Sequence, residues 1–179
     1  MGKTISRKPQ KGLTFEDVWA ALMETRERQE ETARQIGALG NRFGELVEHM
    51  VLPNIKEKFN TMGFAFDKTA KDITIKDEQD RYKEADVDIL LENSDVAIAI
   101  EVKAKTAQKD VDRHKERMAV LRRWADRRND KRKFYGAMAG AIMTEAVKAY
   151  AQRTGFYTIV QSGDTVKIDV PEGFTPKDW

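Results

Sequence analysis

The sequence predicts an α/β domain, a mixed β-sheet flanked by helices, with a helical arm in front of it. Three observations point there. Helical periodicity fills the first third of the chain and returns twice after its centre. Between these stretches, Ala85–Leu91 and Val96–Lys103 have the alternating or apolar character of strands. The resulting order is helix, helix, several strands, helix, strand, helix, strands, the pattern of a mixed sheet with helices on it.

Taken in order, residues 1–12 are basic, contain Pro9 and Gly12, and are expected to form a flexible lead. Thr14 and Asp17 resemble a capping box, so a helix should begin near Phe15. No proline or glycine then interrupts the chain until Gly37. Phe15, Val18, Leu22, Thr25, Gln29, Thr32, Ile36, Leu39 and Phe43 recur in steps of three and four, a heptad seam with a polar middle. Residues 13–40 are therefore expected to form a helical arm. Either it pairs as a coiled coil with another subunit, making a homodimer through residues 14–43, or it is a solvated helix whose ends pack on their own domain.

A second helical pattern runs from Arg42 to Met62, carrying Phe43, Leu46, Val47, Met50, Val51, Ile55 and Phe59. Pro53 should kink or restart it, and Gly63 should end it. Phe64, Phe66, Ile73 and Ile75 suggest a strand or irregular hairpin, and Asp77 to Lys83 a polar turn. Ala85–Leu91 and Val96–Lys103, joined by the turn Glu92-Asn93-Ser94-Asp95, should pair antiparallel. Ala107 to Arg128 is helical, with Val111, Met118, Leu121 and Trp124 near one face. Phe134–Met143, apolar and rich in small residues, predicts a strand buried on both faces. A short helix over Thr144–Arg153 should end at Gly155. Strands over Phe156–Gln161 and Thr165–Val170 should flank the turn Ser162-Gly163-Asp164. These elements make 41–170 one domain and 171–179 a loop tail.

Composition narrows the chemistry. The 179 residues are 40% hydrophobic and 35% charged, and 32 Lys plus Arg nearly cancel 30 Asp plus Glu, for a net charge of +2. Contact with nucleic acid would thus run through local patches rather than a uniformly basic surface. The absence of cysteine excludes disulfides, thiolate-held zinc, iron–sulfur clusters and thiol nucleophiles, and fits a reducing cytoplasm. His49 and His114, the two histidines, cannot make a histidine-based zinc site unaided. Neither a membrane span nor a signal peptide is evident in the apolar runs, so no membrane association is expected.

Residues two apart on a strand share a face. Glu101 and Lys103 should therefore point together, away from Ile98, Ile100 and Val102, and Asp86 should share a face with Asp88. Pairing the two strands with their apolar faces inward sets Asp88 beside Glu101. Two such carboxylates repel unless a cation lies between them, and oxygen ligands suit magnesium or manganese. An amine beside the ion, Lys103, can orient a water and stabilise charge on a phosphate. The plainer reading is a cross-charge pair on a solvated sheet face.

Asp88 followed by Glu101-Val102-Lys103, each near the end of an apolar strand, resembles the PD-(D/E)XK nuclease superfamily with its restriction-endonuclease-like fold. More closely, the chain resembles a group of small bacterial proteins of that superfamily that carry a helical segment before the nuclease core. Gly44-Glu45-Leu46-Val47-Glu48, Phe134 to Gly140 and Gly155 to Gly163 are similar to its first core helix and later strands. The likeness spans about residues 37–170. It implies Asp88 and Glu101 as ligands of Mg2+ or Mn2+ and Lys103 as the catalytic lysine. It also implies a first-helix glutamate that completes the metal shell or orients water, Glu48 or, one turn earlier, Glu45. Val87 stands where the motif's name has proline, and Asp86 is an additional acid.

The helix after Lys103 is expected to carry Lys105, Lys109, Arg113 and Arg117, then Arg122, Arg123, Arg127 and Arg128, with Lys131 to Lys133 following. It is expected to contact phosphates beside the site, or to be a solvated helix balanced by Asp110, Asp112, Glu116 and Asp126. The expected function is metal-dependent hydrolysis of phosphodiester bonds, in DNA. The alternatives are a non-catalytic nucleic-acid-binding protein on the same fold and a coiled-coil assembly or adaptor protein.

Overall fold

The computed structural model describes Arg28 and residues 54–76, 84–163 and 165–179. The chain divides into two compact units, Met1–Asn41 and Arg42–Trp179. Of the first, only Arg28 is described, exposed and helical. The heptad seam, the dimer contacts expected through 14–43, the glutamates Glu45 and Glu48, and the turn Asp77–Lys83 lie outside the described residues.

The second unit is built on a six-stranded mixed sheet whose spatial order follows the chain: β1 (Lys68–Lys76), β2 (Glu84–Glu92), β3 (Val96–Thr106), β4 (Lys133–Met143), β5 (Tyr157–Ser162) and β6 (Thr165–Ile168). β1, β2 and β3 pair antiparallel, as do β5 and β6, while β3–β4 and β4–β5 are parallel. Parallel neighbours need crossovers, and two helices supply them. α2 (Gln108–Arg127) links β3 to β4, and α3 (Glu145–Thr154) links β4 to β5. An earlier helix, α1, is described over 54–61.

Each face of the sheet buries a different helix set. Ile55 and Phe59 of α1 pack with Ile89, Leu91, Ile98, Ile100, Val102 and Ile159. On the other side Val111, Met118 and Leu121 of α2 pack with Ala97, Ala99, Met138 and Phe156. A side chain such as Phe59 or Leu121, at most 1% exposed, contributes about 1.5–3 kcal/mol relative to exposure.

The ends of these elements follow from local chemistry. Asn93 Oδ1 accepts the amides of Asp95 and Val96, both at 2.8 Å, and so turns β2 into β3. α2 begins where Asp110 reaches back to the Ala107 amide at 2.9 Å. Thr144 caps α3 through the Val147 amide, and Gly155 ends it at φ 94°, a conformation costly for a side chain.

Two features differ from the expectation, and a third adds to it. Phe64 and Phe66 precede β1 rather than belonging to it, and stack on each other at 5.2 Å within the α1-side core. β3 runs on to Thr106, held by its parallel pairing with β4, so Lys105 lies on a strand and not on the helix. The terminal loop is pinned to the sheet: the Trp179 amide donates to Phe134 O, Asp178 Oδ1 accepts the Phe134 amide, and the Trp179 ring stacks on Phe156 at 5.4 Å. Among the described residues no helix is long and apolar enough to cross a membrane.

Candidate active site

The site lies where the sheet forks. The β2–β3 ladder runs over Glu92↔Ala97, Leu91↔Ile98, Leu90↔Ala99 and Ile89↔Ile100, and stops there. Carried one position further, this register sets Asp88 against Glu101. Beyond that point Glu84–Val87 stays with β1, while Glu101–Thr106 stays with β4. The half-buried Asp88 closes the crotch: its Oδ2 accepts the Val102 amide at 2.7 Å in place of a further rung. On the β1 side the register passes over Asp88 as well, and the residue opposite, Asp72, has φ 50°. Asp88 thus stands at an interruption in both ladders of its strand.

Glu101 is 1% exposed. This is not the solvated sheet face of the plainer reading: α2 covers that side of β3, so both faces of the strand are buried. A carboxylate removed from water needs compensating charge. Lys103 Nζ lies 2.5 Å from Oε1, and Arg117 of α2 donates through Nη1 to Oε2. The Lys103 side chain remains 34% exposed and Arg117 18%, so the carboxylate is buried while its cations reach the solvent edge.

Beside Glu101 sits His114, fully buried, its ring 4.9 Å from that of Phe156 and its Nε2 3.2 Å from Ala99 O. Burial pulls its pKa from 6.5 down to about 4, against the opposing pull of the Glu101 charge. A neutral imidazole whose Nε2–H donates to the Ala99 carbonyl satisfies this geometry. Its Nδ1 has no partner among the described residues.

The expected phosphate-binding residues separate into distinct places. Lys105 is exposed on β3, and Lys109 and Arg113 are exposed on α2. Lys109, Arg113 and Arg117, four residues apart, share the helix face that meets Glu101. A cleft of about 540 Å³ opens there between α2 and the free half of β2, lined by Glu84, Asp86, Arg113, Glu116, Arg117 and Arg123 among others. Asp86, on this cleft, accepts the Thr74 hydroxyl at 2.9 Å. Lys131 to Lys133, expected beside the site, are at the opposite end of β3, because α2 carries the chain back before β4 begins and Lys133 pairs with Val96. There Arg132 binds Asp130 and Glu92 and stabilises the turn.

Arg117 as the partner of Glu101 and His114 as a buried residue were not anticipated. The signal for His114 was present: positions 111, 114, 118, 121 and 125 form one helical stripe, and all five are buried. For Arg117 no such signal exists, because it sits on the flank of that stripe among other basic residues.

Asp88 and Glu101 offer hard oxygen donors of the kind that hold magnesium, which commonly takes one or two carboxylates and keeps several waters. Among the described residues no group of three or more Asp, Glu, His or Cys is placed to hold a metal. An ion held by these two carboxylates would have to draw the rest of its shell from water and substrate, and it would meet Lys103 on one oxygen of Glu101 and Arg117 on the other.

No protein-family model matches the chain, and no curated protein matches it. A solved structure to which it is similar is the small subunit of the heterodimeric restriction endonuclease R.BspD6I. The likeness covers 67% of this chain and 69% of that one, at 17% identity and a TM-score of 0.34.

Proposed function

We propose that the protein is a metal-dependent nuclease that hydrolyses phosphodiester bonds in DNA. The observation that supports this reading is the fork in the sheet, where Asp88 follows the last β2–β3 rung and takes the Val102 amide, and where Lys103 pairs with Glu101. Asp88 and Glu101 would hold Mg2+ or Mn2+, and Glu48 would complete the shell. Such an ion supplies Lewis-acid polarisation of a phosphate and an acidified water.

The chain's own residues do the rest. Lys103, one-third exposed and anchored on Glu101 at 2.5 Å, presents its ammonium to whatever lies against the carboxylates. There it orients a water and stabilises negative charge developing on the phosphate. Lys109 and Arg113, exposed on the same helix face as Arg117, hold the flanking phosphates without reading sequence. No serine, cysteine or histidine nucleophile is needed.

A second reading has its own support. Both oxygens of Glu101 are already engaged by cations, as in a fold that binds nucleic acid without turning it over. One experiment separates the two. Single-stranded, double-stranded and branched DNA are offered to the wild type, Asp88→Ala and Lys103→Ala, each with magnesium, manganese or chelator. Chelator-sensitive cutting, lost in both variants, is expected. Binding that is equal in all three proteins, with no cutting under any condition, would replace the nuclease reading by the non-catalytic one.

A further inference from the structure

Arg117 has two sides. Its Nη1 donates to Glu101, which is its one hydrogen-bonding partner among the described residues. A guanidinium carries five donors in a planar fork, so most of its capacity is uncommitted. Its side chain, 18% exposed, lines the 540 Å³ cleft that Arg113 and Arg123 also line. Lys103 and Glu101 share a strand, whereas Arg117 reaches Glu101 from a separate element, α2.

Glu101 carries one negative charge and already has two cationic partners, one on each oxygen. A divalent ion at the same carboxylate would crowd further positive charge around it. Arg117 reaches Glu101 from α2, so it can leave Oε2 without moving the strand that carries both Glu101 and Lys103. A guanidinium released at the mouth of this cleft has the fork geometry that matches phosphate oxygens. We propose that Arg117 is a phosphate-binding residue held in reserve by Glu101: it competes with the divalent ion for Oε2 and, when displaced, binds a non-bridging oxygen of the substrate's phosphate. This inference rests on the nuclease reading.

The test measures Mn2+ affinity of the full chain by calorimetry without nucleic acid, and separately kcat and KM on DNA, for wild type, Arg117→Gln and Arg117→Lys. Loss of the competitor should tighten Mn2+ binding in Arg117→Gln roughly tenfold while KM rises by about the same factor and kcat changes less. Arg117→Lys should fall between the two in both quantities. A side chain that merely supports the fold would not strengthen metal binding. If the wild type binds Mn2+ and cuts DNA while Arg117→Gln leaves Mn2+ affinity and KM unchanged, or weakens the metal, the inference is overturned and the nuclease reading stands. A wild type that neither binds Mn2+ nor cuts overturns both. Should Arg117→Gln fail to fold, Arg117→Lys decides: a raised KM with Mn2+ binding retained supports the inference, and an unchanged KM overturns it.

Discussion

Acid should weaken this protein through His114 before most of its carboxylates titrate. The imidazole is fully buried against Phe156, and burial lowers its pKa from 6.5 to about 4. Between those two values the unfolded chain binds a proton that the native chain refuses. The sign follows from linkage: the contribution is complete above pH 6.5 and drains away as the pH falls toward 4. The span of the shift corresponds to about 3 kcal/mol, of which about 1.4 kcal/mol is already lost near pH 5.5. His114→Gln isolates this term, because glutamine can still donate toward the Ala99 carbonyl yet does not titrate. Urea denaturation of both proteins in steps from about pH 7.5 to 4 gives two stability curves whose difference is the histidine's share. The wild type should lose about 3 kcal/mol more than the variant across that window. Parallel curves would refute the reasoning, since they would mean that the ring is protonated in the native state or is not buried.

Two other outcomes follow from packing and charge. A Cβ at Gly136 would lie 2.4 Å from the Phe156 ring, which is itself held between His114 and Trp179, so Gly136→Ala should cost about 2 kcal/mol of stability. A urea midpoint equal to that of the wild type would show that the ring gives way. Glu101→Gln should lower stability by about 3 kcal/mol because Arg117 loses its buried counter-charge, whereas Asp88→Asn keeps an oxygen for the Val102 amide and should stay within about 1 kcal/mol. A Glu101→Gln protein that melts above the wild type would falsify the view that this carboxylate is charge-satisfied by the protein alone.

Much of the fold was legible because its elements carry strong periodic or punctuating signals. Ala85–Leu91 and the run to Lys103 could hardly be anything but a hairpin, given Asn93 between them. Thr144 and Gly155 bracketed α3 to within a residue. The strand order also follows from the chain, since each parallel pair had a helix to cross over with. The burial of Glu101 was not legible. A strand's alternation says which residues share a face, but not what lies over that face. Ile98, Ile100 and Val102 advertised one core, while Ala97 and Ala99 opposite them looked too small to advertise a second. Small residues there let α2 lie close, and its Arg117 and His114 reach the carboxylate and the Ala99 carbonyl. Likewise Lys131 to Lys133 follow the basic helix in sequence but not in space. A twenty-residue helix spans about 30 Å, enough to carry the chain from one end of the strand to the other.

The interruption at Asp88 also has a mechanical side. Glu101 and Lys103 ride on β3, clamped along that stretch by β4 and roofed by α2, so their separation is fixed by one backbone. Asp88 rides on the β1–β2 ribbon, which joins β3 through the ladder from Glu92 to Ile89 and the Asp88 carboxylate on the Val102 amide, and packs on α2 through Ile75, Ala85, Val87 and Leu90. The span across the carboxylates is therefore set between two strand pairings rather than along one backbone, and the Asp88–Val102 hydrogen bond is one of the contacts that ties them.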